Sequence, residues 1–404
     1  MENREITLAI SNLKRFNQLA MNSRLVLLLL AAGGLVDFAT SNSLDLVGKH
    51  NYPVEQHKLA TSDGYILTIF RIPYSPRNGE ARAHKAAVFL QHGITGSSDD
   101  WLLNGPSSGL PFLLADAGFD VWLGNSRGNS YGRAHNGLDP KKAAFWEFSW
   151  HEIGAYDLPA QIDYVLGVTH QPALHFVGHS QGGTAYLVML AEHPEYNDKI
   201  LTTNLLAPLA FCSHMRSQLM TMVLKVEEYM VEGEYSPGSL TQHKSSDAFC
   251  AAPLWKHVCQ DILFTLIAGK SPHIKKLTAK LQKTATSGFS NRLLKHYAQV
   301  FKTGRFAKYD YGSATNLRVY GTRRPPLYAL SNVAPLTVNM FYSDSDQLLS
   351  VEDAETLAQR ISAIQHHVEV EDWNHLDFLY APNVVQVIYR DLIQSIRDHY
   401  PRLI

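Results

Sequence analysis

Cysteine is scarce in this chain: 404 residues hold only Cys212, Cys250 and Cys259. None stands in C-x-x-C spacing or beside a histidine cluster, which excludes a disulfide-built scaffold and a zinc element. Three cysteines permit one disulfide and one free thiol, and Cys250 with Cys259, which close a short local loop, are the expected pair. An excess of either charge is also missing, with 36 Lys and Arg against 37 Asp and Glu, so nucleic acid is not an expected partner. The N-x-S/T glycan acceptor is absent throughout. Long apolar runs are missing too. The strongest near the start, Leu25 to Val36, has about half the roughly 20 residues that a membrane-spanning helix needs.

That run reads instead as the core of a secretory signal, with Arg24 before it and the small residues Ala39, Thr40 and Ser41 after it. The leader is expected to start at Met21 or to be a long one, and an uncleaved anchor is the alternative. Secretion is the expected destination. Beyond the leader, at residues 1–43, the chain shows short apolar segments, mostly bounded by Gly, Asn or Pro. They are ILTIFRI after Asp63-Gly64-Tyr65, Ala86–Leu90, Asp120–Leu123, Ala173–Val177, Leu201–Leu206 and Leu336–Tyr342. Helical patterns at Gly109–Ala117, Ile153–Leu166 and Thr184–Glu192 alternate with them. The alternation predicts an α/β fold with a mostly parallel sheet and helices on both faces, its functional groups at the carboxyl ends of the strands. From 211 to 330 the pattern turns helical without a convincing buried strand. It is expected to be a cap inserted between two core segments, 44–210 and 331–404.

The pattern G-x-S-x-G fits a strained strand-to-helix turn that exposes a serine hydroxyl above a sheet. It occurs four times, around Ser107, Ser126, Ser130 and Ser180, so the five residues alone discriminate poorly. Only Ser180, in Gly178-His179-Ser180-Gln181-Gly182, has an apolar strand (ALHFV) before it and a helical pattern after it. The other three read as turn serines.

A serine hydroxyl needs a histidine to take its proton and a carboxylate to orient that histidine, in the chain order Ser, acid, His for this fold. His375 follows the last strand-like run, HVEVEDW, and is the expected base. His366 and His367 stand at the wrong end of that run, and His399 falls in the terminal helix. The turn after LTVNMFY offers Asp344 and Asp346, which the pattern does not separate. Two backbone donors are needed for an oxyanion: Gln181 follows the nucleophile, and Ile94 in Gln91-His92-Gly93-Ile94 is the candidate second donor. No metal or cofactor is called for.

These pieces together resemble the acid lipase family, which contains gastric and lysosomal acid lipases and insect relatives. The likeness runs from about Val47 to the C-terminus through SDGYILTIFRIP, LQHGITGSSDDW, VWLGNSRGNSYGR, FWEFSWHEIGAYDLPAQIDYVL, FVGHSQGG, SDSDQLLSVEDA and WNHLDFLYA, in family order. The resemblance implies Asp346 as the acid, a structural role for GNSRGNSYG, a mobile lid over an acyl pocket in the cap, and the Cys250–Cys259 disulfide. Ser345 and Gln347 depart from the family pattern around the acid, and a further cysteine found in mammalian members shortly after Cys259 is missing. The implied activity is hydrolysis of triacylglycerols or sterol esters through an acyl-enzyme, with neutral lipid at an oil–water interface as partner. The alternatives are a small-ester esterase and a lipid carrier without catalysis. The missing glycan acceptors favour secretion over a lysosomal destination.

Overall fold

The computed structural model describes residues 42–79, 85–225, 230–235, 267–272 and 287–399. The Leu25–Val36 leader run and the Cys250–Cys259 pair lie outside the described residues, and Cys212 is a buried free thiol.

The main sheet contains strands β1 (Glu55–Ala60), β2 (Tyr65–Ile72), β3 (Ala87–Gln91), β4 (Asp120–Leu123), β5 (Ala134–His135), β6 (Leu174–His179), β7 (Ile200–Leu206), β10 (Val338–Ser343) and β11 (Ile364–Val370). Its order is β1-β2-β4-β3-β6-β7-β10-β11, with β5 pairing on β2. From β4 to β11 every pairing is parallel, while β1, β2 and β5 are antiparallel. Strands β3, β4, β6 and β10 are buried along their whole length, which explains their mostly apolar runs: helices cover both faces of a parallel sheet.

Helix Gln181–Glu192 follows β6 directly and is buried from Gln181 to Ala191, so it runs through the core and needs no polar face. Helix Val351–Arg360, after β10, is amphipathic instead. It buries Asp353, Ala354 and Leu357, and Ser350 caps its start by accepting from the Asp353 N–H. The expected helix at Ile153–Leu166 divides into a π-helical turn, Ile153–Asp157, and an α-helix, Leu158–Thr169. Between β7 and β10 lie helices Gln218–Lys225 and Asn291–Thr303. A ribbon of two strands also lies there, β8 (Glu234–Tyr235) and β9 (Phe289–Ser290), each too short to leave a periodic signal.

The GNSRG segment after β4 is the electrostatic tie of the core. Arg127 is 2% exposed; its guanidinium donates to Asp157 Oδ1 (2.8 Å from Nε) and to both Asp63 oxygens (2.6 and 2.9 Å), and it stacks 4.0 Å from the Tyr65 ring centroid. The Arg127 N–H donates to Asp157 Oδ2 at 2.9 Å. One residue thereby joins the β1–β2 turn, the β4 loop and the helix after it. Removing one member of a buried ion network strands the remaining charges. Arg127→Ala is therefore expected to lower the unfolding free energy by about 3–5 kcal/mol, read from urea denaturation.

Two core histidines stay neutral. His175 faces Thr202 Oγ1 at 2.8 Å, and His296 stacks on Trp150 with centroids 3.6 Å apart. Burial pushes the pKa of each down to about 3. An unfolded chain takes up protons at these sites below about pH 6.5, while the folded chain does not, so the stability they confer is present above 6.5 and lost as pH falls toward 3. Unfolding free energy measured from pH 7 down to 4 is expected to fall by up to about 1.4 kcal/mol per pH unit for each histidine, and His296→Gln is expected to reduce that slope.

Candidate active site

Strand β6 ends at His179, and the chain turns at Ser180 with φ 54° and ψ −120° before entering helix Gln181–Glu192. No other serine among the described residues has positive φ. That backbone state is sparsely populated for any residue with a side chain, and it lifts the hydroxyl clear of the sheet. The turn is locked by Ser180 N–H donating to Leu206 O at 2.9 Å. It is also crowded: a Cβ on Gly182 would lie 2.4 Å from Gln91 O, which only glycine avoids.

Two loops at the carboxyl ends of β10 and β11 reach the same spot. His375 Nε2 lies 2.7 Å from Ser180 Oγ, and His375 Nδ1 lies 2.7 Å from Asp346 Oδ2. The partners fix the tautomer: Nδ1–H donates to the carboxylate, leaving Nε2 to accept the serine proton. Asp346 is fully buried, and its other oxygen accepts the N–H groups of Leu348 (2.7 Å) and Leu349 (3.0 Å). Asp344, which the pattern left level with Asp346, turns away and accepts the Asp372 N–H at 3.0 Å.

The loop after β3 closes over the elbow. A Cβ on Gly93 would lie 3.1 Å from Ser180 Cβ and 3.2 Å from His179 Nδ1, so Ile94 follows a residue packed against the turn. Gln181 opens its helix, and its N–H has no acceptor within the helix. In the sequence, His179 is distinguished only by its place in the Gly178–Gly182 elbow. Its ring is buried, and Nε2–H donates to the backbone carbonyl of His375 at 3.0 Å, while burial and the neighbouring His375 push its pKa down to about 3. His375 is gripped from its other side as well, since its N–H donates to Ala268 O at 3.3 Å.

Residues of the 211–330 segment touch both loops. Gly269 O accepts from Asn374 Nδ2 (3.1 Å), Ser271 Oγ donates to Asp377 Oδ1 (3.0 Å), and Gln347 O accepts the N–H groups of Arg216 (3.0 Å) and Ser217 (2.8 Å). The only sequence hint of these anchors was the polar N-H-L-D run around His375. The remaining candidates fall elsewhere. Ser107 and Ser130 are exposed, and Ser126 is buried with its Oγ accepting from Gln91 Nε2 at 2.9 Å. His366 and His367 sit exposed within β11, because that strand begins at Ile364, three residues earlier than HVEVEDW; His399 bonds Thr337 Oγ1 at 2.9 Å. No cluster of metal-ligating side chains occurs among the described residues, and no described helix is long and apolar enough to cross a membrane.

The chain is similar to known proteins in sequence and in fold. Residues 44–105 match the family model of a partial α/β-hydrolase lipase region, and residues 86–382 match that of the α/β-hydrolase fold. Lipase 3 of Drosophila melanogaster is 37% identical over 93% of this chain and 98% of its own length. Gastric triacylglycerol lipase of Bos taurus is 34% identical over 89% of this chain and 92% of its own. A crystal structure of a putative lipase from Acinetobacter baumannii shares the fold at TM-score 0.53, with 14% identity over 91% of this chain and 100% of that one. The chain therefore belongs to the α/β-hydrolase lipase family, as its motifs had indicated, and is a carboxylic ester hydrolase of the lipase type.

Proposed function

We propose that the chain hydrolyses neutral lipid esters, triacylglycerol or sterol ester, through an acyl-enzyme on Ser180. The observation that carries this reading is the unbroken chain of 2.7 Å contacts from Ser180 Oγ through His375 to Asp346. Ser180 Oγ attacks the ester carbonyl carbon while its proton passes to His375 Nε2, and the buried Asp346 carboxylate stabilises the imidazolium. The negative charge that develops on the carbonyl oxygen is received by the backbone N–H groups of Ile94 and Gln181. Collapse expels the alcohol, protonated by His375, and water activated by the same nitrogen releases the fatty acid.

The segment 211–330 serves as a cap with a lid over an acyl pocket, which the contacts of Ala268, Gly269 and Ser271 with the His375 loop support. The enzyme works at an oil–water interface after secretion, a lysosomal destination being the alternative. The names of the relatives, a gastric triacylglycerol lipase among them, support a lipid substrate.

Kinetics on emulsified tributyrylglycerol, with released acid followed by titration, test this. The rate is expected to rise steeply beyond the solubility limit of the ester; saturation on dissolved monomers with no such rise indicates a small-ester esterase instead. Ser180→Ala is expected to lower kcat by at least about 10⁴-fold and Asp346→Asn by about 10³- to 10⁴-fold. Asp344→Asn should stay within about twofold of the wild type, and an equal loss there would reverse the assignment of the acid.

A further inference from the structure

We infer that His92, with its tautomer set by Ser126 and Asn129, is the positioning residue that aims the Ile94 N–H at the oxyanion. The inference rests on the acyl-enzyme reading above and assigns a task to the GNSRGNS segment that supplied two decoy serines. The Gly93–Ile94 peptide is trans, so the Gly93 carbonyl and the Ile94 N–H point in opposite directions, and whatever holds one aims the other. Gly93 O accepts from His92 Nδ1 at 2.7 Å and from Gly96 N–H at 3.3 Å.

The turn from Gly93 to Gly96 has Thr95 at φ 63°, a left-handed state that a β-branched residue disfavours, so local preference does not hold this turn. Of the two bonds to Gly93 O, that from His92 at 2.7 Å is far shorter than the 3.3 Å turn bond from Gly96 N–H, and Asn129 Nδ2 donates to Gly96 O at 3.4 Å. The His92 donor must be Nδ1–H, because Nε2 faces only donors: Ser126 N–H at 3.1 Å and Asn129 Nδ2 at 3.1 Å. Asn129 is itself fixed, with Nδ2 donating to Asn125 Oδ1 at 2.8 Å and Oδ1 accepting the Tyr131 N–H at 2.9 Å. Both His92 and Asn129 are 3% exposed, and burial keeps the imidazole neutral by pushing its pKa down to about 4. The path runs from the loop after β4, through one ring, to the peptide that follows Gly93, the residue packed against Ser180, and His92 itself touches no substrate.

The test compares a soluble ester with an alkylboronic acid, which binds Ser180 as a tetrahedral adduct and so draws on the oxyanion donors as the transition state does. His92→Ala is expected to lower kcat about 10- to 100-fold, leave KM within about threefold, and raise the boronate Ki in step with the loss of kcat/KM. His92→Asn, which keeps an amide donor near the Nδ1 position, should recover part of both. A fold-damaging change would lower apparent kcat by removing active molecules but leave Ki unchanged, and that result would overturn the inference. If His92→Ala does not yield folded protein, Asn129→Ala carries the test through the same Ki, with an expected rise of about three- to tenfold. Labelling of wild-type Ser180 by a fluorophosphonate separates the two claims. Without labelling, the acyl-enzyme reading and this inference fall together; with labelling and an unchanged Ki, this inference falls alone.

Discussion

A serine held at φ 54° and ψ −120° occupies backbone space that costs on the order of 1–3 kcal/mol, and such a state persists only where its surroundings leave no alternative. Here the surroundings are a fully buried strand on one side and a helix buried from Gln181 to Ala191 on the other. The amide between them is tied to Leu206 O on the neighbouring strand. Everything else in the site is arranged around that turn. The parallel run from β4 to β11 brings the carboxyl ends of β3, β6, β10 and β11 to one edge, so loops far apart in sequence converge on Ser180.

Convergence alone would not give geometry. Each group that meets at Ser180 is fixed by a second set of buried polar contacts, where an unmade hydrogen bond is expensive and a satisfied one rigidifies. Asp346 is oriented by two backbone amides, and His375 is held at both its N–H and its carbonyl. The loop after β4, with Arg127 in a buried ion network and Asn129 beside His92, extends this support to the loop after β3. Contacts from described residues of the 211–330 segment onto Gln347, Asn374 and Asp377 connect that segment to the same two loops.

How much of this was legible in the sequence follows from the range of the interactions involved. Parallel strands covered on both faces are mostly apolar, so β3, β4, β6, β7 and β10 stand out as short runs rich in apolar residues. The edge strand β1 did not, because EQHKLA buries only Leu59 and reads as polar. The two-residue strands β5, β8 and β9 are too short to carry a period. In the site, strand, turn and chain order were enough to bring out Ser180 and His375, whereas Asp344 and Asp346 sit two residues apart in one turn and differ only in which carboxylate meets an imidazole 29 residues later. The bond from His179 to the His375 carbonyl joins residues 196 apart, and the tautomer of His92 depends on donors 34 and 37 residues away; no local pattern encodes either.

The proposed acyl-enzyme places a covalent bond on one oxygen, Ser180 Oγ. Acid-quenched turnover of a long-chain ester, followed by mass spectrometry of the peptide that contains Ser180, measures it directly. The expected result is that peptide carrying the mass of the acyl group at short times and losing it as substrate is exhausted. An acyl group on another residue, or ester turnover with Ser180 unmodified throughout, would contradict it.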